Sequence, residues 1–387
     1  MLKIKRILIK DHLSPPLRHL YAHTVIRGLA TGLLGFFIPL YLYSIFGKIE
    51  YVIIYYLIAS IASVLAHPLA TRILLKLDLK ILMLLATPFI ILYLIFLNQI
   101  KIIGPNITLL SFAILSITLH RMLYWVPYHT EFATFTDKHY RGREIGVMQA
   151  TISLIGISLP AISGFIIVKL GFNWLFSFAL LLHLISIIPL FKIPRKKETY
   201  AYKYFETWKK LFSKENFHIF IAYFADGFQA AAGYICWPIF IFLILKGEYL
   251  SVGMISTLII LITVVLRLVI GDLSDHKDKH KLLKAGSILF AGGWLFKTFI
   301  ETAFQVFFIG AYHGLSEILM RSPFDTMMYD RAADQGHYID EYTVLREMSL
   351  FLGRIALLVL ALIVLTVAPL NWVFVVVALV TLLVNLI

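Results

Sequence analysis

A single cysteine, Cys236, stands among the 387 residues, and it excludes an internal disulfide. Charge is scarce as well: Asp, Glu, Lys and Arg make up 15% of the chain against 60% hydrophobic residues, and mean hydropathy is +0.86. A soluble fold of two or three domains, which the length alone suggests, has no use for that much apolar surface. Acids are the scarcer sign, 22 against 35 bases, for a net charge of +13. With this hydropathy the excess points to basic cytoplasmic loops rather than to a nucleic-acid partner. No glycine loop ends in Lys-Ser or Lys-Thr to cradle phosphates, which argues against ATP drive. No nucleophile elbow and no His/Cys/Asp set at metal-ligand spacing is present. Enzyme chemistry, a metal and a cofactor are therefore not expected.

What is there is a succession of apolar runs, many of about 18 residues or more, the length a helix needs to cross ~30 Å of hydrocarbon. In lipid the backbone must satisfy its own hydrogen bonds, so the runs read as helices. The pattern predicts an all-α membrane protein of about twelve spans. The first six are His19–Phe46, Tyr51–Leu75, Ile81–Gln99, Ile107–Phe132, Ile145–Lys169 and Trp174–Phe191. The second six are Ile219–Leu245, Ser251–Ile270, Leu282–Thr302, Phe304–Met328, Tyr342–Val367 and Trp372–Ile387. The division is an N-terminal segment 1–18, a six-helix bundle 19–191, a polar linker 192–217 and a second bundle 218–387. The start, basic and broken by Pro15-Pro16, has no cleavage-type site and reads as an uncleaved tail, either solvated or lying on the membrane surface. Lys and Arg concentrate in the turns after even-numbered spans and in the linker, which places both termini in the cytoplasm of a multi-pass cell-membrane protein.

The two halves repeat each other. Gly28 is followed at eleven residues by Pro39, and Gly227 at the same interval by Pro238. Pro127 answers to Pro323, Thr130 to Thr326 and Gly156 to Gly353, all at offsets of 196 to 199 residues. A parallel repeat of a hydrophobic helical unit marks a two-halved transporter with its working region between the halves. The matched prolines each remove a helix hydrogen bond and permit a bend.

The loop Gly271-Asp272-Leu273-Ser274-Asp275-His276-Lys277, with its basic tail, resembles the signature loop of the major facilitator superfamily. Arg141-Gly142-Arg143, with Gly146 beyond, is similar to the family's passage from span four into span five. The first-half counterpart, from His67 to Arg72, keeps Leu69 and Arg72 but has His67 for the glycine and Thr71 for the aspartate, a departure that weakens a first-half latch. The resemblance implies two pseudo-symmetric bundles of six helices. It also implies a gate or latch role for Gly271, Leu273, Asp275, Arg141 and Arg143, and a central cavity lined by spans one, four, seven and ten.

Four ionisable residues fall at membrane depth in those spans. An ion at a helix centre costs about 2.5–3.5 kcal/mol on the insertion scale, so such groups are paired, wet or functional. Arg27 and Asp226 lie about eight residues into spans one and seven, or ~12 Å at ~1.5 Å per residue. Arg121 and Glu317 occupy the middles of spans four and ten, at the repeat offset of 196. Arg27 and Arg121 are expected to bind an anionic group, and Asp226 and Glu317 to answer them in the empty site or carry a coupling proton. Static ion pairs between the halves are the competing explanation. His120 and His313 are candidate proton relays. Tyr124, Trp125 and Tyr128 are candidates for an aromatic cavity wall, and Trp237 for another. His129, Glu131, Asp325, Asp330 and Arg331 read as gate or topology charges, and Lys297 and Glu301, one turn apart, as a pair.

The leading expectation is a secondary active transporter moving a small organic solute, anionic or amphipathic, by alternating access with protons as coupling partner. The bilayer is its other partner, and a monomer is expected. Gly156, Pro160 and Gly164 are similar to the glycine-proline pattern of the superfamily's antiporters, so export of drugs or metabolites competes with uptake. A lipid flippase of the same fold and a non-transporting receptor or scaffold are the remaining alternatives.

Overall fold

The computed structural model describes residues 14–74, 76–136, 141–195, 202–274, 278–334 and 339–387. Among them there is no strand, and ten stretches are helices long and apolar enough to cross a membrane. The first half comprises α1 (Pro15–Gly35) continued by α2 (Ile38–Phe46), α3 (Ile49–Leu74), α4 (Leu79–Ile103), α5 (Ile107–Phe135), α6 (Arg141–Gly156) continued by α7 (Leu159–Leu170), and α8 (Phe172–Leu190). After the short helix α9 (Tyr204–Leu211), the second half comprises α10 (Phe217–Ala231), α11 (Trp237–Ile244), α12 (Tyr249–Ser274), α13 (Lys279–Lys297), α14 (Ala303–Asp334), α15 (Ile339–Leu365) and α16 (Val373–Thr381). The ninth span, α13, carries too much charge to stand out by hydropathy, and the twelfth is a shorter apolar stretch, Leu370–Leu386. α9 breaks the linker that the sequence presents as merely polar.

Polar side chains mark where helices leave the apolar layer. Asp78 accepts a hydrogen bond from the Ile81 N–H at 3.0 Å and caps α4. Asn106 and Asp278 do the same for α5 and α13, so orphan amide donors at the water boundary find acceptors. The matched prolines act alike: Pro39 and Pro238 each stand in the first turn of the outer piece of a broken span. In span one the break is the turn between α1 and α2. In span seven it is a π-helical turn, Ala232–Cys236.

The halves meet where α7 packs on α12, and where α15 packs on α3 and α5. Small residues set the first contact: Gly253 lies against the Pro160 carbonyl, and Gly164 against the backbone of Tyr249. Within the second half, Gly227 on α10 and Gly353 on α15 press against each other's helix backbones, with no room for a side chain.

The N-terminal tail (residues 1–13) and Asp275 of the signature loop lie outside the described residues. Gly271 and Leu273 fall in the last turn of α12, and Arg141 and Arg143 in the first turn of α6, with their side chains outside the described ones. Nearby, Lys279 at the start of α13 bonds Asp330 at the end of α14 at 3.0 Å.

Candidate functional site

Span four supplies one wall of a central cavity through the helical repeat of its aromatics. His120, Tyr124 and Tyr128 follow each other at four-residue spacing and stack nearly parallel, with ring centroids 5.4 and 5.6 Å apart. Beside them Trp125 stacks on His129 at 5.5 Å. Arg27 reaches across from α1, its guanidinium carbon 4.1 Å from the Tyr124 ring centre and 4.7 Å from that of Trp125. The ladder is held from behind. His23 bonds the Tyr124 hydroxyl at 2.9 Å through Nε2 and the Ser186 carbonyl at 2.6 Å through Nδ1, and His120 bonds the Ala86 carbonyl at 2.9 Å.

The cavity these residues border has a volume of about 670 Å³ and lies between the halves. Five arginines and three carboxylates are among its lining residues. On the second-half side Asp226, 2% exposed, takes Arg321 at 2.5 Å and also accepts from the Gln229 amide at 2.9 Å. Arg321 also reaches Asp325, 3.4 Å away on the next turn. Arg346 pairs with its neighbour Glu347. Arg27, Arg121 and Arg354 remain, with no carboxylate within 4.0 Å among the described residues. Arg121 and Arg354 come from opposite halves and approach one ring, Phe351, with guanidinium carbons 5.4 and 4.4 Å from its centre. Ser63 accepts from Arg121 at 3.3 Å, and the buried His67 packs on the same phenyl ring at 5.1 Å. The histidine in the glycine's place thus supports the arginine site from span two.

Bridges between the halves flank the cavity. On the side of the basic turns, His129 bonds the Tyr329 hydroxyl at 2.8 Å and Phe132 packs on the Tyr329 ring at 4.7 Å. On the other side Tyr43 meets Phe242 at 6.2 Å. Tyr329→Phe removes one bridging hydrogen bond, worth about 1 kcal/mol, and should raise opening on that side about fivefold. An introduced Met148→Cys on the cavity wall, labelled by a hydrophilic maleimide with the buried Cys236 as a quiet background, measures it.

The sequence pattern of the Major Facilitator Superfamily matches residues 20–343. The chain belongs to that superfamily. Its fold is similar to that of the human organic anion transporter MFSD10 (TETRAN), with a TM-score of 0.71 at 14% identity over 96% of this chain and 98% of that one. It is also similar to a variant of the Escherichia coli fucose:proton symporter FucP, with a TM-score of 0.67 at 12% identity over 96% and 97% of the two chains. Among curated sequences it matches the uncharacterized protein YqgE of Bacillus subtilis (strain 168), 23% identical over 240 residues, 60% of this chain and 56% of that relative. The chain therefore spans little more than half the length of that relative. This superfamily member is a multi-pass membrane protein.

Within the superfamily fold, Arg27, Arg121, Asp226, His120 and Trp125 all line the central cavity. Tyr124 stands just behind it under Arg27. Glu317, His313 and Trp237 do not line it: they face a separate lateral cavity on the far side of span seven. The expected answer of acids to Arg27 and Arg121 is therefore corrected, because Asp226 is taken by Arg321 and Glu317 points elsewhere. The Lys297–Glu301 pair is corrected too. α13 ends at Lys297, so Glu301 is not carried one helical turn further and stands exposed beyond the helix. Arg321, Arg346, Arg354 and Glu347 carry charge into the cavity and are absent from the sequence-derived set. The signal for Arg354 is present, an arginine in span eleven just ahead of an unbroken apolar run of eleven residues, 355–365. The four-span cavity implied by family resemblance leaves that span out.

Proposed function

We propose that the protein is a secondary active transporter that carries a small organic anion by alternating access, with protons as the coupling ion. One observation carries this reading: Arg27, Arg121 and Arg354 face a shared cavity at membrane depth, and among the described residues none of them has a carboxylate within 4.0 Å. Cations left unneutralised there are costly, and an anionic solute offsets that cost while binding. The volume of about 670 Å³ falls within the usual size of small-molecule sites. Aromatic side chains of Trp125, Tyr128 and Tyr329 on the cavity wall suit an organic body rather than a bare inorganic ion. The central cavity, with charged residues on its walls, reaches Arg121 but not Glu317, and so meets only part of what separates a transporter from a receptor or scaffold with a dry centre.

The bundles 19–191 and 218–387 are the bodies that rock, with both termini and the basic turns in the cytoplasm. The Asp226–Arg321–Asp325 cluster is the exchangeable part: a solute anion near Arg321 competes with its carboxylates, and a released carboxylate takes the proton. MFSD10 is described as an organic anion transporter and FucP as a fucose:proton symporter, which supports both halves of the reading by fold analogy.

The test is uptake of a panel of labelled organic anions into proteoliposomes, with and without an imposed pH gradient. At least one anion should accumulate above protein-free vesicles, and a gradient should raise its steady level. Flux that ignores the gradient removes the proton; no flux of any anion removes the function.

A further inference from the structure

The central cavity leaves one buried cation unexplained. Beyond the π-helical turn of span seven lies a second cavity of about 420 Å³, bordered by α10, α12, α13 and α14. It adjoins the first, since Phe36, Ala230, Gly233, Tyr234 and Arg321 line both. Lys297 projects into it, 2% exposed, with its ammonium 4.2 Å from the ring centre of Trp237 and 3.9 Å from that of Trp294. Among the described residues no carboxylate stands within 4.0 Å of that ammonium and no protein group accepts from it. The indole N–H of Trp294 is likewise buried without an acceptor. Glu317, on the same cavity wall, is exposed and stands beyond 4.0 Å of the Lys297 ammonium.

An ammonium offers three N–H donors and accepts nothing, and indole faces answer its charge without answering its donors. Two indoles around a cation normally select a ligand ammonium. Here the chain's own lysine fills the cage, so the cavity presents donors and repels a second cation. A buried cation kept only for packing is a poor bargain, because an apolar side chain of that length serves better.

We infer that the lateral cavity is a second subsite for the transported solute. It takes an oxygen acceptor, a carboxylate foremost, at the far end of an elongated organic anion. The head group of that anion sits on Arg27, Arg121 and Arg354. The inference rests on the proposed function and narrows its substrate class to long anions with a polar tail end and an apolar middle. Tyr234 and Phe36 border the passage between the subsites, and the loosened turn of span seven lets one molecule occupy both.

The probes are α,ω-alkanedioates from adipate to sebacate, with monocarboxylates and ω-amino acids of matching chain, measured by calorimetry on the purified full-length protein in nanodiscs. At one chain length the diacid should bind about tenfold tighter than the monoacid, the value of a charge-assisted hydrogen bond, and the ω-amino acid weakest of the three. Lys297→Met should abolish the diacid's advantage, leave the monoacid unchanged and strengthen the ω-amino acid, whose ammonium enters the emptied cage. Lys297→Arg, which keeps donors, should keep the diacid preference. Equal binding of diacid and monoacid to the wild type overturns the subsite. So does an equal loss of both in Lys297→Met, or no binding by any member of the series. A diacid preference that depends on Lys297 but survives Arg121→Ala leaves the lysine subsite standing and overturns the arginine head site instead.

Discussion

Arg121→Ala is expected to remove anion binding and uptake almost completely while leaving the protein folded. The guanidinium stands mid-span in α5, opposite Arg354 from the other half, and both lean on the Phe351 ring. Among the described residues its sole hydrogen bond is the one to Ser63 at 3.3 Å, so few native contacts are lost on truncation. A planar fork donating to a carboxylate is worth about 1.5–3 kcal/mol, or roughly ten- to a hundredfold in affinity. The effect on uptake is at the upper end, because the two guanidiniums repel each other less when an anion lies between them. Arg121→Lys keeps the charge but not the fork and should fall between alanine and wild type. The fold survives because deleting an unneutralised cation at membrane depth relieves about 2.5–3.5 kcal/mol of burial cost. Thermal shift gives the readout: a ligand anion raises the wild-type melting temperature by mass action and leaves that of the alanine variant unmoved. A variant that folds normally and still accumulates the anion at the wild-type rate would sink the assignment.

How much of this was legible beforehand depends on the kind of physics each residue obeys. Ten of the spans, the two halves and the repeat follow from hydropathy and from spacing, which are local properties of the chain. Arg27 and Arg121 could be placed because an ion in lipid is conspicuous whatever surrounds it. Partners were not legible. Asp226 chooses Arg321 over Arg27 because side chains of α10 and α14 meet within one half although α10 packs on α15 and α16, and nothing in sequence spacing says which side chains meet. Glu317, four residues before Arg321, faces the lateral cavity while Arg321 lines both cavities, so a small difference in direction on one helix separates the two sites. Lys297 illustrates the same limit. Its four-residue distance from Glu301 suggests a pair only if the helix continues, and the helix ends there.

The repeat also hides an asymmetry that a single methyl group exposes. Gly28 and Gly227 are equivalent in sequence, yet a Cβ added at Gly28 would meet only the Ile152 side chain, at an ordinary 3.5 Å. At Gly227 it would stand 2.0 Å from the Leu350 carbonyl oxygen and 2.6 Å from that residue's Cα, and at Gly353 it would run into the Phe224 carbonyl. These are backbone atoms of neighbouring helices, and no rotamer change relieves them; α10 and α15 must move apart. Overpacking of this kind costs about 1–3 kcal/mol and more where the obstacle cannot turn aside. Gly227→Ala and Gly353→Ala should therefore each yield little monodisperse protein in detergent and a sharply lowered melting temperature, whereas Gly28→Ala should behave as wild type. The same contact positions chemistry: Asp226 precedes Gly227 on α10, and Arg354 follows Gly353 on α15, so the separation that spoils packing also pulls the Arg321-bound acid away from the arginine of span eleven. A second-site change that thins the facing helix cannot rescue either variant, since the obstacle is main chain, and recovery by shortening the Leu350 side chain would show that the close approach is not what these glycines secure.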